Sequence, residues 1–146
     1  MTQEDKNLLF KDLCARLPYK VKASYWGEAE ECECYDVIDQ ICLDYDYEVG
    51  IGQYGLPVEK VKPYLFPLYL MTQEQYNSLH ELGILDNCSH SYECVNSHIY
   101  GFSFILKQIK TYSLELIEWL NKNHFDYRGL IEKSLALDAT NLGIYE

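Results

Sequence analysis

The fold is decided by residues 41–51, ICLDYDYEVGI, in which apolar or aromatic side chains alternate with polar ones. Residues 19–25, YKVKASY, alternate in the same way. Successive side chains of a β-strand point to opposite faces, so this period of two predicts strands with one buried and one solvent-exposed face. Turn residues punctuate the pattern at Gly50, Gly52, Gly55 and Pro57. We therefore expect a small antiparallel β lobe over residues 19–66.

A helical pattern precedes this lobe. Thr2 and Asp5 form a weak capping box, apolar residues then recur at helical spacing, and Pro18 ends the pattern. The apolar side of this helix is expected to carry Leu9, Phe10, Leu13, Cys14 and Leu17.

Further helical patterns follow the lobe. Thr72 and Gln75 make a full capping box before an apolar stripe. Two more helical patterns begin at Ser113 and Asp126. We expect a mostly helical part over about residues 71–137 and a frayed tail over residues 138–146. The chain is then a single compact α+β domain, with an N-terminal helix, a small SH3-like antiparallel β lobe and a mostly helical C-terminal part.

Composition excludes several classes of protein. The 146 residues are 48% hydrophobic and 24% charged, which is typical of a globular chain. No apolar run approaches the roughly 18 residues of a membrane span. The N-terminal MTQEDKNLLF has no signal-peptide pattern, so we expect a cytoplasmic protein whose six cysteines are reduced and mostly buried.

Charge is the most unusual feature of the chain. Twelve Lys and Arg face 23 Asp and Glu, a net charge of −11, which argues against direct binding of nucleic acid. Residues 23–58 contain no Lys or Arg. Their nine acidic residues are Glu28, Glu30, Glu31, Glu33, Asp36, Asp39, Asp44, Asp46 and Glu48. This belt either keeps the β lobe soluble or imitates nucleic-acid phosphates in the basic groove of a host protein, as an inhibitor would.

Three members of the belt are candidate contact residues. Asp44, Asp46 and Glu48 are two residues apart in the alternating stretch, so a strand would place their carboxylates on one face. Such a face can be a solvated surface, a partner contact or, with help from another segment, a site for a hard cation. No nucleophile or base is paired with them, and no phosphate-binding loop or nucleophile elbow is present, so we do not expect an enzyme.

Two other clusters are candidate sites. Cys88, His90, Cys94 and His98 supply the thiolate and imidazole ligands that zinc prefers, at an unfamiliar spacing. They form either a zinc site or a polar loop, and zinc is the one cofactor that the residues suggest. Aromatic residues of KPYLFPLYL can form an exposed strip that binds a protein partner, namely Tyr64, Phe66 and Tyr69.

Three segments carry a resemblance to known proteins: LLFKDLCARLPYKVK, VEKVKPYLFPLYLMTQEQ and LIEWLNKNHFDYRGLIEKSLALDA. They resemble a family of small uncharacterised proteins from gut anaerobic bacteria and their phages and integrated elements, to which no activity is assigned. The resemblance implies a cytoplasmic accessory protein of a phage or mobile element. Together with the charge pattern, it leads us to expect a non-enzymatic protein-interaction module, with a zinc-binding domain as the alternative.

Overall fold

The structure, a computed structural model, describes residues 1–28, 31–42, 48–52, 54–81 and 114–146. Contacts divide the chain into two compact units, Met1–Leu65 with Arg128–Glu146, and Phe66–Tyr127. The expected α+β class is confirmed, since an N-terminal helix, a largely antiparallel sheet and a later helix are all present. The prediction of one domain stays a prediction.

Helix α1, Gln3–Arg16, opens the first unit. Its capping box is confirmed, because the Asp5 backbone N–H donates to Thr2 Oγ1 at 3.1 Å and the Thr2 N–H donates to Asp5 Oδ2 at 3.2 Å. The hydrogen bonds from Thr2 lower the pKa of the Asp5 carboxyl. Leu9 and Leu13 are fully buried as expected, whereas Cys14 is exposed and does not belong to the apolar side.

Five strands form the sheet of the β lobe. They are β1 (Lys22–Gly27), β2 (Cys32–Cys42), β3 (Glu48–Ile51), β4 (Tyr54–Pro57) and β5 (Val61–Pro67). Their order is β4-β3-β2-β1-β5, and every neighbouring pair is antiparallel. A short strand β7, Leu137–Asp138, adds a parallel pairing to β5. One face of this sheet packs on α1 and buries Ala23, Ile38, Val49 and Val61.

The deciding stretch, residues 41–51, is not the single strand that its alternation suggests. Ile41 pairs with Val49 and Cys42 with Glu48 in an antiparallel ladder, so the stretch contributes to two adjacent strands. Val49 and Ile51 are fully buried, as the alternation implies. The period of two predicts which side chains are buried. It does not predict where the chain reverses, because both strands of a hairpin have the same period.

The prediction of a helix beginning at Asp126 is wrong. Asp126 lies in β6, Phe125–Asp126, and the residues after it form turns. The backbone N–H groups of Leu135 and Ala136 both donate to the Leu130 carbonyl, at 2.9 and 3.3 Å, which closes one turn and stops a helix. Leu130 and Leu135 are nevertheless buried, so the apolar spacing predicted burial correctly without predicting the backbone.

The tail over residues 138–146, expected to fray, is held against the sheet. The Tyr145 hydroxyl donates to the Tyr64 carbonyl at 2.7 Å and accepts the Lys22 backbone N–H at 3.1 Å. Lys22 Nζ also donates to the Ile144 carbonyl at 2.5 Å. Burial raises the pKa of Tyr145 to about 12. The fraying prediction overlooked these contacts because their partners are more than 80 residues apart in sequence.

The second unit contains α2 (Gln73–Glu81), α3 (Leu114–Lys122) and β6, which pairs with the end of β5. The second capping box is confirmed, since the Gln75 N–H donates to Thr72 Oγ1 and the Thr72 N–H donates to Gln75 Oε1. The core of this unit is Leu68, Met71, Tyr76, Leu79, Leu116, Leu120 and Phe125. Within the described ranges, no helix has the length and apolarity needed to cross a membrane.

Candidate functional site

The outer face of the β1–β2 hairpin exposes two large aromatic side chains. Ser24 pairs with Tyr35, and Trp26 pairs with Glu33, so these four residues share one face. Trp26 is 59% exposed and Tyr35 is 57% exposed. We call Trp26, Glu33 and Tyr35 the hairpin face. It is opposite to the face that buries Ala23 in the core.

Two contacts hold the hairpin face in place. Ser24 is buried and its hydroxyl donates to Glu33 Oε1, which fixes one carboxylate oxygen beside Trp26. The Tyr35 ring stands edge-on to the Tyr64 ring, with 6.2 Å between the ring centroids. Because its supports are strands and not a loop, this face is presented with little conformational entropy left to lose on binding.

Exposed carboxylates are frequent in the three strands β1–β3 and the turn between β1 and β2. They are Glu28, Glu31, Glu33, Asp36, Asp39 and Glu48, of which Glu33 belongs to the hairpin face and Asp36 to the opposite face. Lys62 of β5 pairs with Ser24 and is exposed, so the face meets one basic residue on its β5 side. The carboxylates give this part of the β lobe a negative potential, which favours positively charged groups nearby.

The predicted carboxylate triplet is only partly described. Glu48 is exposed at the first position of β3, while Asp44 and Asp46 lie outside the described residues. Glu48 and Asp39 line an open cleft whose floor includes Gly50. A Cβ on Gly50 would lie 2.8 Å from the Gln40 Cβ, so the close approach of β2 and β3 requires glycine there. Among the residues that the structure describes, no three His, Cys, Asp or Glu side chains are placed to hold a metal ion.

The predicted aromatic strip is not a continuous exposed surface. Tyr64 is buried and only 9% exposed, and its ring contacts Tyr35. Phe66 is half-buried, with its ring centroid 6.3 Å from that of Phe125. Tyr69 is 58% exposed. The expectation of exposure therefore holds for Tyr69 alone among the three, because β5 is a mostly buried strand.

The cysteines also differ from expectation. The zinc candidates Cys88, His90, Cys94 and His98 lie outside the described residues. The four described cysteines were expected to be mostly buried, and that prediction is wrong: Cys14 and Cys32 are exposed, and Cys34 and Cys42 are half-buried. Cys32 and Cys34 lie near the start of β2, on a part of the strand that no buried residue of the core adjoins, since only Ile38 of β2 is buried.

A buried ionic cluster joins α1 to the C-terminal segment of the first unit. The Asp12 carboxylate contacts Arg16 Nε at 2.6 Å and Arg128 Nε at 3.0 Å. Asp12 and Arg16 are completely buried. Two guanidinium groups contact one enclosed carboxylate and compensate its charge, so the cluster ties α1 to the C-terminal segment.

The hairpin face was missed in the sequence, although a signal for it was present. The alternation that turns Ala23 and Tyr25 inward also turns Ser24 and Trp26 outward. An outward tryptophan is uncommon on a solvated face and marks a candidate contact.

Comparisons with known proteins identify no relative of this chain. No protein-family model matches the sequence, and the searches of curated proteins and of solved structures both give no match.

Proposed function

We propose that this chain is a non-enzymatic interaction protein whose β lobe binds a basic surface of a protein partner. The observation that supports the proposal is the hairpin face, where Trp26 and Tyr35 are exposed beside Glu33 in a segment without Lys or Arg. The proposal includes a cytoplasmic location, an SH3-like form of the lobe and an accessory role in a phage or mobile element.

The chemistry of the face suits a partner that presents Arg and Lys. Tryptophan and tyrosine account for a large share of the residues that dominate binding energy at protein interfaces. An arginine can stack on the Trp26 ring and pair with the Glu33 carboxylate at the same time. The surrounding carboxylates speed the encounter, while the aromatic rings supply apolar area once contact is made.

Tyr69 provides the test between the hairpin face and the aromatic strip. It is exposed to the same extent as Tyr35 but lies in the other unit. The experiment is a tagged co-purification from the native host with wild type, Trp26→Ala, Tyr35→Ala and Tyr69→Ala. We expect loss of a specific partner, by at least about tenfold, with the Trp26 and Tyr35 variants only. Loss with Tyr69→Ala alone would overturn the assignment to the hairpin face.

The charge part of the proposal has its own control. Asp39→Lys with Glu48→Lys changes the net charge by the same amount as Glu115→Lys with Glu118→Lys on α3, and all four positions are exposed. We expect the first pair to weaken partner capture and to flatten its salt dependence, because exposed charges are screened at high salt. Equal behaviour of the two pairs would show that overall charge, and not the β lobe, attracts the partner.

The same surface serves the second form of the proposal, a nucleic-acid-mimicking inhibitor. If the captured partner is a nucleic-acid-binding protein, a short DNA or RNA duplex should compete with this chain for it.

The zinc-binding alternative rests on Cys88, His90, Cys94 and His98 and is tested by metal analysis of protein purified without chelator. Less than about a tenth of an equivalent of zinc would remove it.

A further inference from the structure

We propose that Cys32 and Cys34 form a two-thiolate binding site for a zinc-class divalent cation, distinct from the Cys88–His98 cluster and independent of the proposed interaction. The two sulfur atoms are 3.6 Å apart on one face of β2. Neither the charge pattern nor the hairpin face makes use of them. Cys32 is exposed and Cys34 is half-buried, so an ion can reach the pair from solvent.

The sulfur separation fits chelation of one ion. Zinc binds thiolate sulfur at about 2.3 Å in a tetrahedral arrangement. With the sulfurs 3.6 Å apart, an ion at that distance from both has an S–Zn–S angle of about 103°, close to the tetrahedral value. Neither β2 nor its partner strand has to move, because residues two apart on a strand already point to the same side.

A disulfide fits the same pair poorly. An S–S bond is about 2.05 Å long, so the sulfurs would have to approach by about 1.5 Å. Residues two apart on a regular strand have Cα atoms about 6.6 Å apart, at the upper limit for disulfides. The register of Cys32 with Gly27 and of Cys34 with Tyr25 restrains the backbone from shortening that separation.

The charges around the pair favour a cation. Asp36 lies on the same face of β2 as the two cysteines, and Glu31 immediately precedes Cys32. Both carboxylates are exposed, and no Lys or Arg occurs in residues 23–58. A divalent cation replaces two thiol protons, which go to solvent, and the two thiolates neutralise its charge. The carboxylates add a favourable field that a basic surface would not provide. Two coordination positions remain for water, since the described residues contain no third ligand in place.

The probe is Cd²⁺, which binds thiolates as Zn²⁺ does and produces an ultraviolet sulfur-to-metal charge-transfer band. The titration is made on the reduced full chain carrying Cys88→Ser and Cys94→Ser, which removes the other candidate site. We expect one saturable equivalent. Adding Cys32→Ser or Cys34→Ser should raise the dissociation constant by at least about tenfold, since even the loss of a supporting outer group costs that much. Cys14→Ser, which removes an exposed cysteine of α1, should change nothing.

A second measurement does not depend on variants. Wild-type protein is alkylated with iodoacetamide in the presence and absence of Cd²⁺, and the modified peptides are identified by mass spectrometry. We expect Cd²⁺ to protect Cys32 and Cys34 together while Cys14 reacts at the same rate in both samples. A charge-transfer band that survives loss of both cysteines, no band at all, or alkylation of the pair unaffected by Cd²⁺ would overturn the proposal.

Discussion

Strands β2 and β5 belong to the same sheet and both contain aromatic residues, yet their exposure is opposite. One of the eleven residues of β2 is buried, whereas five of the seven residues of β5 are buried. Tyr35 of β2 and Tyr64 of β5 even touch, but the first is 57% exposed and the second only 9%. Residue type therefore does not decide exposure here. The neighbouring segments of the chain do: the C-terminal segment lies along β5, where the Ala139 N–H donates to the Leu65 carbonyl and the Tyr145 hydroxyl donates to the Tyr64 carbonyl.

The difference matters for function because the two strands have different tasks. β5 is central to the core, with Val61 and Leu65 fully buried, so its aromatic residues serve stability. β2 holds its register through β1 and β3 and leaves most of its side chains to solvent. Substitutions in the two strands and in the tail test this division, and their expected effects on the free energy of unfolding decrease in the order that follows.

The largest effect is expected from Leu65→Ala in β5. Leu65 is fully buried, and truncating a buried leucine leaves a cavity, which costs about 3 kcal/mol of unfolding free energy. Gln40→Ala in β2 is the control, because that side chain is exposed and its removal should change stability by less than about 0.5 kcal/mol. Urea denaturation of both variants measures this. Similar losses of stability for the two variants would contradict the conclusion that β5 is a core strand and β2 an exposed one.

Tyr145→Phe should have an intermediate effect. It removes the hydroxyl that bridges the Tyr64 carbonyl and the Lys22 N–H, which should cost about 1–2 kcal/mol. Burial raises the folded-state pKa of Tyr145 to about 12, above an ordinary tyrosine value of about 10. Stability from this group is therefore complete below about pH 10 and is lost as the pH rises towards 12.

Urea denaturation of wild type and Tyr145→Phe at pH 7, 10 and 11 checks both parts. The wild type should lose its advantage over Tyr145→Phe between pH 10 and 11, because the unfolded chain then releases the tyrosine proton more readily than the folded one. An advantage that is constant over this range would contradict the buried hydroxyl. All other groups are common to both proteins, so their contributions cancel in the difference.

The smallest effects are expected on the hairpin face. Tyr35→Ala loses the edge contact with the Tyr64 ring and should cost about 1 kcal/mol, whereas Trp26→Ala, at 59% exposure, should cost less than about 0.5 kcal/mol. Thermal denaturation measures both. Trp26→Ala is then the cleaner variant for partner binding, since its loss of binding would not reflect unfolding. A loss of more than about 2 kcal/mol would show that Trp26 is a structural residue instead.

Local signals predicted local structure well. The capping boxes at Thr2 and Thr72 were visible in the sequence and are confirmed, because each uses residues only three positions apart. The alternation in residues 19–25 and 41–51 predicted the buried side chains Ala23, Val49 and Ile51 for the same reason. Local patterns did not predict three features. These are the chain reversal within residues 41–51, the turns after Asp126, and the burial of Tyr64 in the proposed aromatic strip.

The sequence by itself determined the α+β class, the ends of the first helix and the concentration of negative charge on the β lobe, since these depend on neighbours a few residues away or on composition alone. Only the tertiary structure decided that Tyr64 is buried while Tyr35 is exposed, that Tyr145 secures the tail, and that the sulfurs of Cys32 and Cys34 are 3.6 Å apart. Burial, pairing and ligand geometry depend on residues brought together from distant parts of the chain or on side-chain conformation, and no local pattern encodes those positions.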